Sequence, residues 1–312
     1  MIKNILIRVL SFFYKKMPCS IQDLLLKVYC DSRGDFNVLN EVANRLNIKS
    51  IGVEGGIGEI YGSIMDKSII AKYAKTGIWS KRTLELLNNF FKEKVGTYID
   101  IGANIGLTTL PVAMSTNVKC IAFEPDPKNF RYLEQNILNV CPTKSIESYN
   151  VAISDKSGIV TFELSPHNLG DHRLRLESKV NLLGEDKWKT INVQAKRLDD
   201  FNFDIKSPLA IKIDVQGAEP LVIAGGNKIL ESANLIILEF SPYWMNRMGT
   251  NPAVVIDFVS NFPKATIAQG ELENFEEFST GKIISNKLSS LYNENKNISV
   301  GAYWDIILLN EQ

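Results

Sequence analysis

The chain has few of the residues that bind metals. Its 312 residues include four cysteines and two histidines. These are Cys19, Cys30, Cys120, Cys141, His167 and His172. No C-x-x-C pair occurs, and zinc sites are usually built from such pairs, so the sequence predicts no metal site. Separate cysteines among apolar residues indicate reduced thiols and a cytoplasmic protein.

An excess of either charge is also missing. Lysine plus arginine number 35, aspartate plus glutamate number 35, and the formal net charge is zero. Proteins that bind nucleic acid usually carry a basic surface, so the balance argues against a nucleic-acid partner. With 45% apolar residues, a chain of this length can bury one large core.

The amino-terminal segment, residues 1–16, is too short and too interrupted by charge to span a bilayer. No small-residue cleavage site follows it, which argues against a secretory signal. Its polar residues recur at helical spacing and several are basic, which predicts a basic amphipathic helix. Such a helix would pack on its own domain, pack on a dimer partner, or lie peripherally on an anionic membrane surface. We assign residues 1–66 to an N-terminal accessory region and residues 67–312 to the main domain.

The most informative segment runs from Tyr98 to Gly106, with the sequence YIDIGANIG. It predicts a buried strand over 97–101, a glycine turn, and a helix over 107–114. A second strand over 118–123 delivers Glu124 to its carboxyl end. An acid about 20 residues past a glycine turn is placed to accept hydrogen bonds from ribose hydroxyls. The segment therefore predicts a nucleoside-binding α/β domain.

Glycines required for binding a pyrophosphate are absent from this turn. A G-x-G-x-x-G beginning at Gly102 would need glycines where Asn104 and Leu107 stand. The turn also lacks the lysine and Ser/Thr of a phosphate-binding loop. S-adenosylmethionine has a ribose but no phosphate, and Asp100 would attract its ammonium group. The turn therefore favours S-adenosylmethionine over NAD or ATP.

Strand-like and helix-like segments then alternate, which predicts an α/β fold with a mostly parallel sheet. The predicted segments are strands at 148–154, 210–215, 235–240, 265–268 and 303–309, and a helix at 220–230. Ligands of such sheets lie at the carboxyl ends of the strands. Acids recur at these ends: Asp100, Glu124, Asp155, Asp214 and Glu239.

A long insertion between the third and fourth core strands holds both histidines. It predicts a hairpin over 158–164, an irregular loop around His172, and a strand near 190–195. Long loops in compact domains are usually functional, so we expect this one to bind the second substrate. His172 is the first candidate for a general base, with Asp171 or Asp214 as the second choice. Alternatively, Asp214 would hold a divalent metal that activates the substrate.

Several of these segments, taken in order, resemble the FkbM-type S-adenosylmethionine-dependent methyltransferases. They are Asp100–Gly106, Phe123–Pro127, Val151–Asp155, Asn168–Leu174, Ile211–Glu219 and Ile236–Phe240. The resemblance covers roughly residues 77–309. It implies a class I methyltransferase, Rossmann-like sheet with an antiparallel last strand. It further implies O-methylation of a sugar or another small molecule. The family often has Glu where Gln216 stands.

Roles for individual residues follow from this hypothesis. Asp100, Gly102, Asn104 and Gly106 would form the turn at the methionine end of the cofactor, and Glu124 would bind the ribose. Val151 and Ala152 would flank the adenine, with Asp155 near its edge. Two other functions stay open at this point. One is a non-catalytic nucleoside-binding module that acts as an assembly partner, and the other is an NAD-dependent oxidoreductase.

Overall fold

The computed structural model describes residues 47–166, 168–176, 181–270, 272, 274–297 and 301–310. In chain order the strands are β1 (Ser50–Gly55), β2 (Gly58–Ser63), β3 (Thr97–Ile101), β4 (Lys119–Phe123), β5 (Ile146–Tyr149), β6 (Ala152–Ile153), β7 (Gly158–Leu164), β8 (Arg173–Leu174), β9 (Lys189–Lys196), β10 (Leu209–Ile213), β11 (Leu235–Phe240), β12 (Lys264–Gln269), β13 (Asn274–Phe275) and β14 (Trp304–Leu309). The helices are α1 (Ile69–Thr76), α2 (Lys81–Phe90), α3 (Thr109–Ser115), α4 (Pro127–Val140), α5 (Glu219–Glu231), α6 (Pro242–Met248), α7 (Pro252–Ser260) and α8 (Gly281–Asn295).

A central sheet of eight strands has the order β13-β12-β14-β11-β10-β3-β4-β5. The strands from β11 to β5 pair in parallel. β14 is antiparallel to both of its neighbours, β11 and β12. An antiparallel last strand inserted beside the fifth core strand is the class I methyltransferase arrangement, so the predicted fold class is confirmed.

The central strands are apolar because both faces of the sheet are covered, as parallel sheets require. Every residue of β3 and β11 is buried. Tyr98 faces one core together with the β1–β2 hairpin and helices α1 to α4. The next residue, Ile99, faces a second core with α5, α7 and α8. Because successive residues of a strand point to opposite faces, the position of a residue along its strand decides which side of the sheet its side chain faces.

The third predicted strand, 148–154, is wrong as a single element. The chain leaves the central sheet after β5, and β6 pairs in parallel with β9 in a separate four-stranded sheet. The turn is fixed by Asn150, whose amide Nδ2 donates to the carbonyl oxygens of Glu124 at 2.8 Å and Pro125 at 3.0 Å. A side chain bonded to a neighbouring loop competes with the strand ladder and ends it.

The insertion is also more regular than predicted. Residues Gly158–Leu164 form the single strand β7 and not a hairpin. β7 pairs along its whole length with β9, from Gly158 opposite Ala195 to Leu164 opposite Lys189. The hairpin partner thus comes from the far end of the insertion. The intervening loop is drawn back over the central sheet, where it reaches the carboxyl ends of β3 and β4.

The β1–β2 hairpin is attached to the main domain through Asn136 on α4. The side chain of Asn136 is fully buried. Its Oδ1 accepts from Tyr61 N–H at 2.7 Å, and its Nδ2 donates to the carbonyls of Tyr61 and Ile105, both at 2.9 Å. One amide therefore joins the hairpin, α4 and the glycine turn.

Replacing Asn136 with leucine should lower the free energy of unfolding by about 3 kcal/mol, because the N–H and carbonyl of Tyr61 and the buried carbonyl of Ile105 lose their partner. Chemical denaturation of both proteins measures the difference. Asn139→Leu is the matched control on the same helix, since its single bond to the Glu59 carbonyl is exposed. Equal destabilisation by the two substitutions would contradict the role of Asn136.

Residues 1–46 lie outside the described residues, and so does the amphipathic helix predicted for 1–16. The division at residue 66, the dimer and the membrane contact stay predictions. Across the described ranges, no helix combines the length and apolarity needed to cross a membrane. Cys120 and Cys141 are free and buried, whereas Cys19 and Cys30 fall in the amino-terminal range that is not described.

Candidate functional site

A cavity of about 460 Å³ opens at the carboxyl ends of β3, β4, β10 and β11. This volume lies within the range of small-molecule sites. Eight predicted site residues line the cavity: Gly102, Asn104, Glu124, Val151, Ala152, Asp171, His172 and Asp214. Three other predicted residues, Asp100, Gly106 and Asp155, do not border it.

The glycine turn after β3 packs against Asp214, the residue that follows β10. Gly102 has φ +90, and a Cβ at this position would lie 2.0 Å from the Asp214 carbonyl oxygen. The Gly102 N–H donates to the Phe123 carbonyl at 3.0 Å. Glycine is needed here for two reasons. The backbone has a positive φ, and the chain segments that follow β3 and β10 approach each other too closely for a side chain.

Glu124 is held at the cavity wall by two backbone donors. Its Oε2 accepts from Asn104 N–H at 2.9 Å and its Oε1 from Asp126 N–H at 2.8 Å. Glu124 is 4% exposed, and burial raises the pKa of its carboxyl group to about 8 despite these hydrogen bonds. Each oxygen keeps a lone pair for a hydroxyl donor from the cavity.

This pKa predicts that nucleoside affinity depends on pH. Hydroxyl groups that donate to Glu124 favour its ionised form and lower its pKa on binding, so the complex releases a proton. S-adenosylmethionine should bind more tightly as pH rises from 6 through about 8. Calorimetry in buffers of different ionisation enthalpy measures the released proton. The Glu124→Gln variant should release none, and equal proton release by both proteins would contradict the assignment.

Asp100 and Lys212 form a buried charged layer beneath the turn. Asp100 is fully buried, and its Oδ2 accepts from Thr109 Oγ1 at 2.7 Å. Lys212 Nζ lies 3.8 Å from Asp100 Oδ1 and 3.0 Å from Asp214 Oδ2. Lys212 was not among the predicted site residues, although it is the one charged residue of the otherwise apolar strand β10. Asp100 therefore fixes Thr109 and Lys212 from behind the cavity wall.

Of the remaining residues predicted to bind the cofactor, Val151 and Ala152 line the cavity, whereas Gly106 and Asp155 lie outside its lining. Val151 and Ala152 offer apolar surface to the cavity beside Phe123. Gly106 packs on α4, where a Cβ would lie 2.8 Å from Leu133 Cδ1. Asp155 lies beyond the wall: its Oδ1 accepts from Ser154 Oγ at 3.1 Å, and its carbonyl from Arg197 Nη1 at 3.3 Å.

The insertion loop is fastened to the glycine turn through one carbonyl group. Leu169 O accepts from the side-chain amides of Asn104 and Asn129, both at 3.2 Å. Two residues later, Asp171 Oδ1 accepts from Asn168 Nδ2 at 2.8 Å. The loop therefore brings Asp171 and His172 to the same cavity as Glu124. His167 lies outside the described residues.

His172 is poorly placed to take a proton. Its Nδ1 accepts from Ser165 N–H at 3.0 Å, and its Nε2 lies 3.8 Å from Asp126 Oδ2. Burial lowers its pKa to about 4, so the ring is neutral near pH 7. With Nδ1 occupied as an acceptor, the proton of the neutral ring is on Nε2. No lone pair of the imidazole then remains for a substrate.

Asp171 has the properties of a base. Burial raises its pKa to about 6, while nearby Arg173 opposes the rise and Asp214 adds to it. A carboxylate with this pKa is ionised near neutral pH and more basic than an exposed aspartate. Its Oδ1 is bonded to Asn168, and its location in the cavity lining gives the carboxyl access to a bound substrate.

A polar network occupies the part of the cavity beyond β10. Gln216 has φ +56, and its Nε2 donates to Asp214 Oδ1 at 2.9 Å and to Glu239 Oε1 at 3.1 Å. Burial raises the pKa of Glu239 well above its usual value, and Ser241 Oγ donates to the same oxygen at 2.9 Å. Left-handed backbone at a residue with a side chain is typical of functional sites. Among the residues that the structure describes, no three His, Cys, Asp or Glu side chains are grouped to hold a metal.

Arg173 fixes the end of the loop. Its guanidinium lies 3.3 Å from the ring centre of Trp244 and 4.9 Å from that of Trp188. The side chain is 1% exposed, and its Nε lies 3.7 Å from Glu163 Oε1. Two indole faces and a carboxylate thus hold this cation in the interior. Arg173 lies in the insertion that is expected to bind the second substrate, but its role in the structure is packing.

The FkbM methyltransferase domain matches residues 100–265, more than half of the chain. The chain belongs to the FkbM methyltransferase family. The matched span starts at the tip of β3 and ends in β12, so it contains the glycine turn, Glu124, the insertion and the Asp214 network. Most of the cavity lining therefore lies within the family domain, and Ile69, Trp79, Ser80, Thr83, Gly301, Tyr303 and Asp305 of the lining lie outside it.

Two named relatives match this FkbM methyltransferase at similar levels of identity. The chain is 29% identical over 175 residues to the 2-O-methyltransferase NoeI of Sinorhizobium fredii, covering 53% of this chain and 71% of the relative. It is 29% identical over 184 residues to the hexuronic acid methyltransferase AglP of Haloferax volcanii, covering 59% and 69%. Among solved structures, precorrin-6y C5,15-methyltransferase of Geobacter metallireducens matches with a TM-score of 0.37 and 11% identity, covering 73% of this chain and 87% of that chain. The fold assignment rests on the strand order described above.

The cofactor of this FkbM methyltransferase is S-adenosylmethionine. The cavity fits that molecule, because the carboxyl group of Glu124 offers two oxygens to ribose hydroxyls and Val151 offers apolar surface for a base. Among the described residues of the lining, Lys212 is the cation, and it is bonded to Asp214. No basic group of that lining is therefore placed for a phosphate, in agreement with the missing glycines of the turn.

Proposed function

We propose that this FkbM methyltransferase methylates a hydroxyl oxygen of a carbohydrate. The observation that carries the proposal is the composition of the cavity beyond β10. The same cavity is lined by the acids Asp214 and Glu239, by Gln216, and by the aromatic residues Trp244 and Tyr303. Hydroxyl groups need several hydrogen-bond acceptors, and the C–H faces of a sugar pack on aromatic rings. The names of both relatives, a 2-O-methyltransferase and a hexuronic acid methyltransferase, agree with such an acceptor.

In this proposal the cofactor occupies the half of the cavity between β3 and β4. Gly102 and Asn104 contact the methionine end, Glu124 accepts hydrogen bonds from the ribose, and Val151 and Ala152 pack on the adenine. When bound, S-adenosylmethionine supplies an electrophilic methyl group on its sulfonium. The loop carrying Asp171 then closes the side of the cavity where the acceptor enters, because Asn104 and Asn129 hold Leu169 over the turn.

Asp171 acts as the general base. Its carboxylate would take the proton of the acceptor hydroxyl as that oxygen bonds to the methyl carbon and the carbon–sulfur bond breaks, which leaves S-adenosylhomocysteine. Asp214 and Glu239 accept hydrogen bonds from neighbouring hydroxyls and orient the reacting oxygen. Holding the reactants in line supplies much of the rate increase expected for such a displacement. The base adds a further factor of about 10²–10⁴.

The proposal is tested with the purified protein, S-adenosylmethionine and a panel of methyl glycosides as minimal acceptors. We expect release of S-adenosylhomocysteine that depends on the sugar, together with a sugar that has gained one CH₂ in mass. Release that is the same with and without any sugar would contradict a carbohydrate acceptor. A panel of simple alcohols and phenols serves as the control for unspecific hydroxyl methylation.

A further inference from the structure

Helix α2 begins at the cavity, beside the glycine turn. Ser80 and Thr83, one turn apart at its amino-terminal end, both line the cavity. Near its other end, Asn88 Oδ1 accepts from Ser115 Oγ at the end of α3, at 2.6 Å. Because α3 starts just after the glycine turn, with Thr108 in the same lining, the two helices run side by side and begin at the same part of the cavity.

The amino terminus of α2 is not capped by its own serine. The first N–H groups of a helix have no acceptor within the helix, and a capping side chain normally supplies one from a residue with extended backbone. Ser80 occupies the cap position, but its backbone is left-handed, with φ +44 and ψ +52, and its side chain makes no capping hydrogen bond. The first turn also contains no acidic residue. Its N–H groups are therefore available to a ligand.

Thr83 adds a hydroxyl group without a partner. The residue is 5% exposed, and its Oγ1 forms no hydrogen bond with any residue that the structure describes. A threonine in a helix often bonds to the carbonyl four residues earlier, as Thr76 Oγ1 does to Lys72 O at 2.8 Å. A buried hydroxyl that lacks such a bond lowers stability. Since Thr83 lines the cavity, a ligand bound there can supply the missing acceptor.

The carboxylate of S-adenosylmethionine finds no free cation in this cavity. Lys212 is the only lysine or arginine among the described residues of the lining. Its Nζ lies 3.0 Å from Asp214 Oδ2 and 3.8 Å from Asp100 Oδ1, and a cation held by two anions has little attraction left for a third. His172 is neutral near pH 7 because burial lowers its pKa to about 4. The carboxylate therefore needs uncharged hydrogen-bond donors.

We propose that the amino terminus of α2 and the Thr83 hydroxyl bind the carboxylate of S-adenosylmethionine. The free N–H groups and the partial positive charge at the start of a helix suit an anion, and Thr83 Oγ1 donates a further hydrogen bond. The site lies outside the matched FkbM domain, which begins at residue 100. A segment that precedes the family domain thus completes the cofactor cavity. The inference rests on the proposed function in one respect, the placement of the methionine end at the glycine turn.

The test compares S-adenosylmethionine with decarboxylated S-adenosylmethionine, in which hydrogen replaces the carboxylate. Calorimetry on the full chain measures both affinities, and no acceptor is needed. We expect the wild type to bind the decarboxylated form at least tenfold more weakly. Thr83→Val keeps the shape of the side chain and removes its hydroxyl. It should weaken S-adenosylmethionine about tenfold, the loss typical of one hydrogen bond to a charged group, and change the affinity for the decarboxylated form less than twofold.

Thr116→Val is the matched control, because Thr116 is buried, bonded to the Val112 carbonyl and not part of the described lining. It should leave both affinities unchanged. Equal binding of the two ligands by the wild type would overturn recognition of the carboxylate. The same preference in wild type and Thr83→Val, or an equal loss of both ligands in that variant, would overturn the site at α2. Glu124→Gln should weaken both ligands by one factor, and no loss there would contradict the proposed ribose site while leaving the carboxylate site standing.

Discussion

Replacing Asp171 with asparagine should lower kcat by about 10²–10⁴-fold, the contribution typical of a general base. Asparagine keeps the size of the side chain and can still bond to Asn168, so the loop should keep its position. The dissociation constant for S-adenosylmethionine should stay within twofold of the wild-type value. Steady-state kinetics and calorimetry on the same preparation measure both quantities.

His172→Gln is the matched control for Asp171→Asn. Glutamine can still accept from Ser165 N–H, so we expect a loss of less than tenfold in kcat. The pH profile separates the two candidates independently. If Asp171 is the base, kcat/KM for the acceptor at saturating S-adenosylmethionine should rise with pH to a plateau above about 6, because the carboxylate must be ionised. A rise centred near pH 4, together with a large loss in His172→Gln, would identify His172 instead.

Gly102→Ala should destabilise the fold by about 3 kcal/mol or more and abolish cofactor binding, since a left-handed residue and an overpacked contact each cost about 1–3 kcal/mol. The new methyl group would lie 2.0 Å from the Asp214 carbonyl and force β10 away from the turn. Thermal unfolding and titration with S-adenosylmethionine measure the two effects.

Gly184→Ala is the control for Gly102→Ala, because Gly184 also has positive φ, at +71, but its Cβ position is open. The difference in stability between the two variants gives the free-energy cost of the contact with Asp214 alone. Similar stability of the two variants would contradict the close approach of β3 and β10. Normal cofactor affinity in Gly102→Ala would contradict the role of the turn.

The central sheet and the cofactor half of the cavity could be predicted because their signals are local. The strand, turn and helix around Gly102 follow from neighbouring residues, and Glu124 follows from its distance along the chain. In a parallel sheet the carboxyl ends of the strands lie at the same edge. Acids at the ends of different strands therefore lie close together there. Even here the sequence could not tell that Asp100 is sealed behind the wall, since that depends on Thr109 and Lys212.

The acceptor half could not be predicted because its contacts join distant residues. Leu169 contacts Asn104 and Asn129 because the pairing of β7 with β9 places the loop between them over the glycine turn. From sequence alone, residues Gly158–Leu164 are equally consistent with a hairpin, so this pairing could not be predicted. His172 was preferred as the base from its intrinsic pKa. The backbone N–H of Ser165 that occupies its Nδ1 is a feature of the folded loop. The switch of chain direction at Asn150 likewise depends on two carbonyls presented by the loop after β4.

The most direct test of the account follows the methyl group from S-adenosylmethionine labelled with ¹³C to its acceptor. The labelled cofactor is incubated with the full chain and a neutral methyl glycoside, and the product is examined by NMR. The account predicts a single methoxy resonance coupled to one ring carbon of the sugar, formed about 100-fold or more slowly by Asp171→Asn. A methyl group on nitrogen or carbon, or no labelled sugar while the cofactor is consumed, would contradict it.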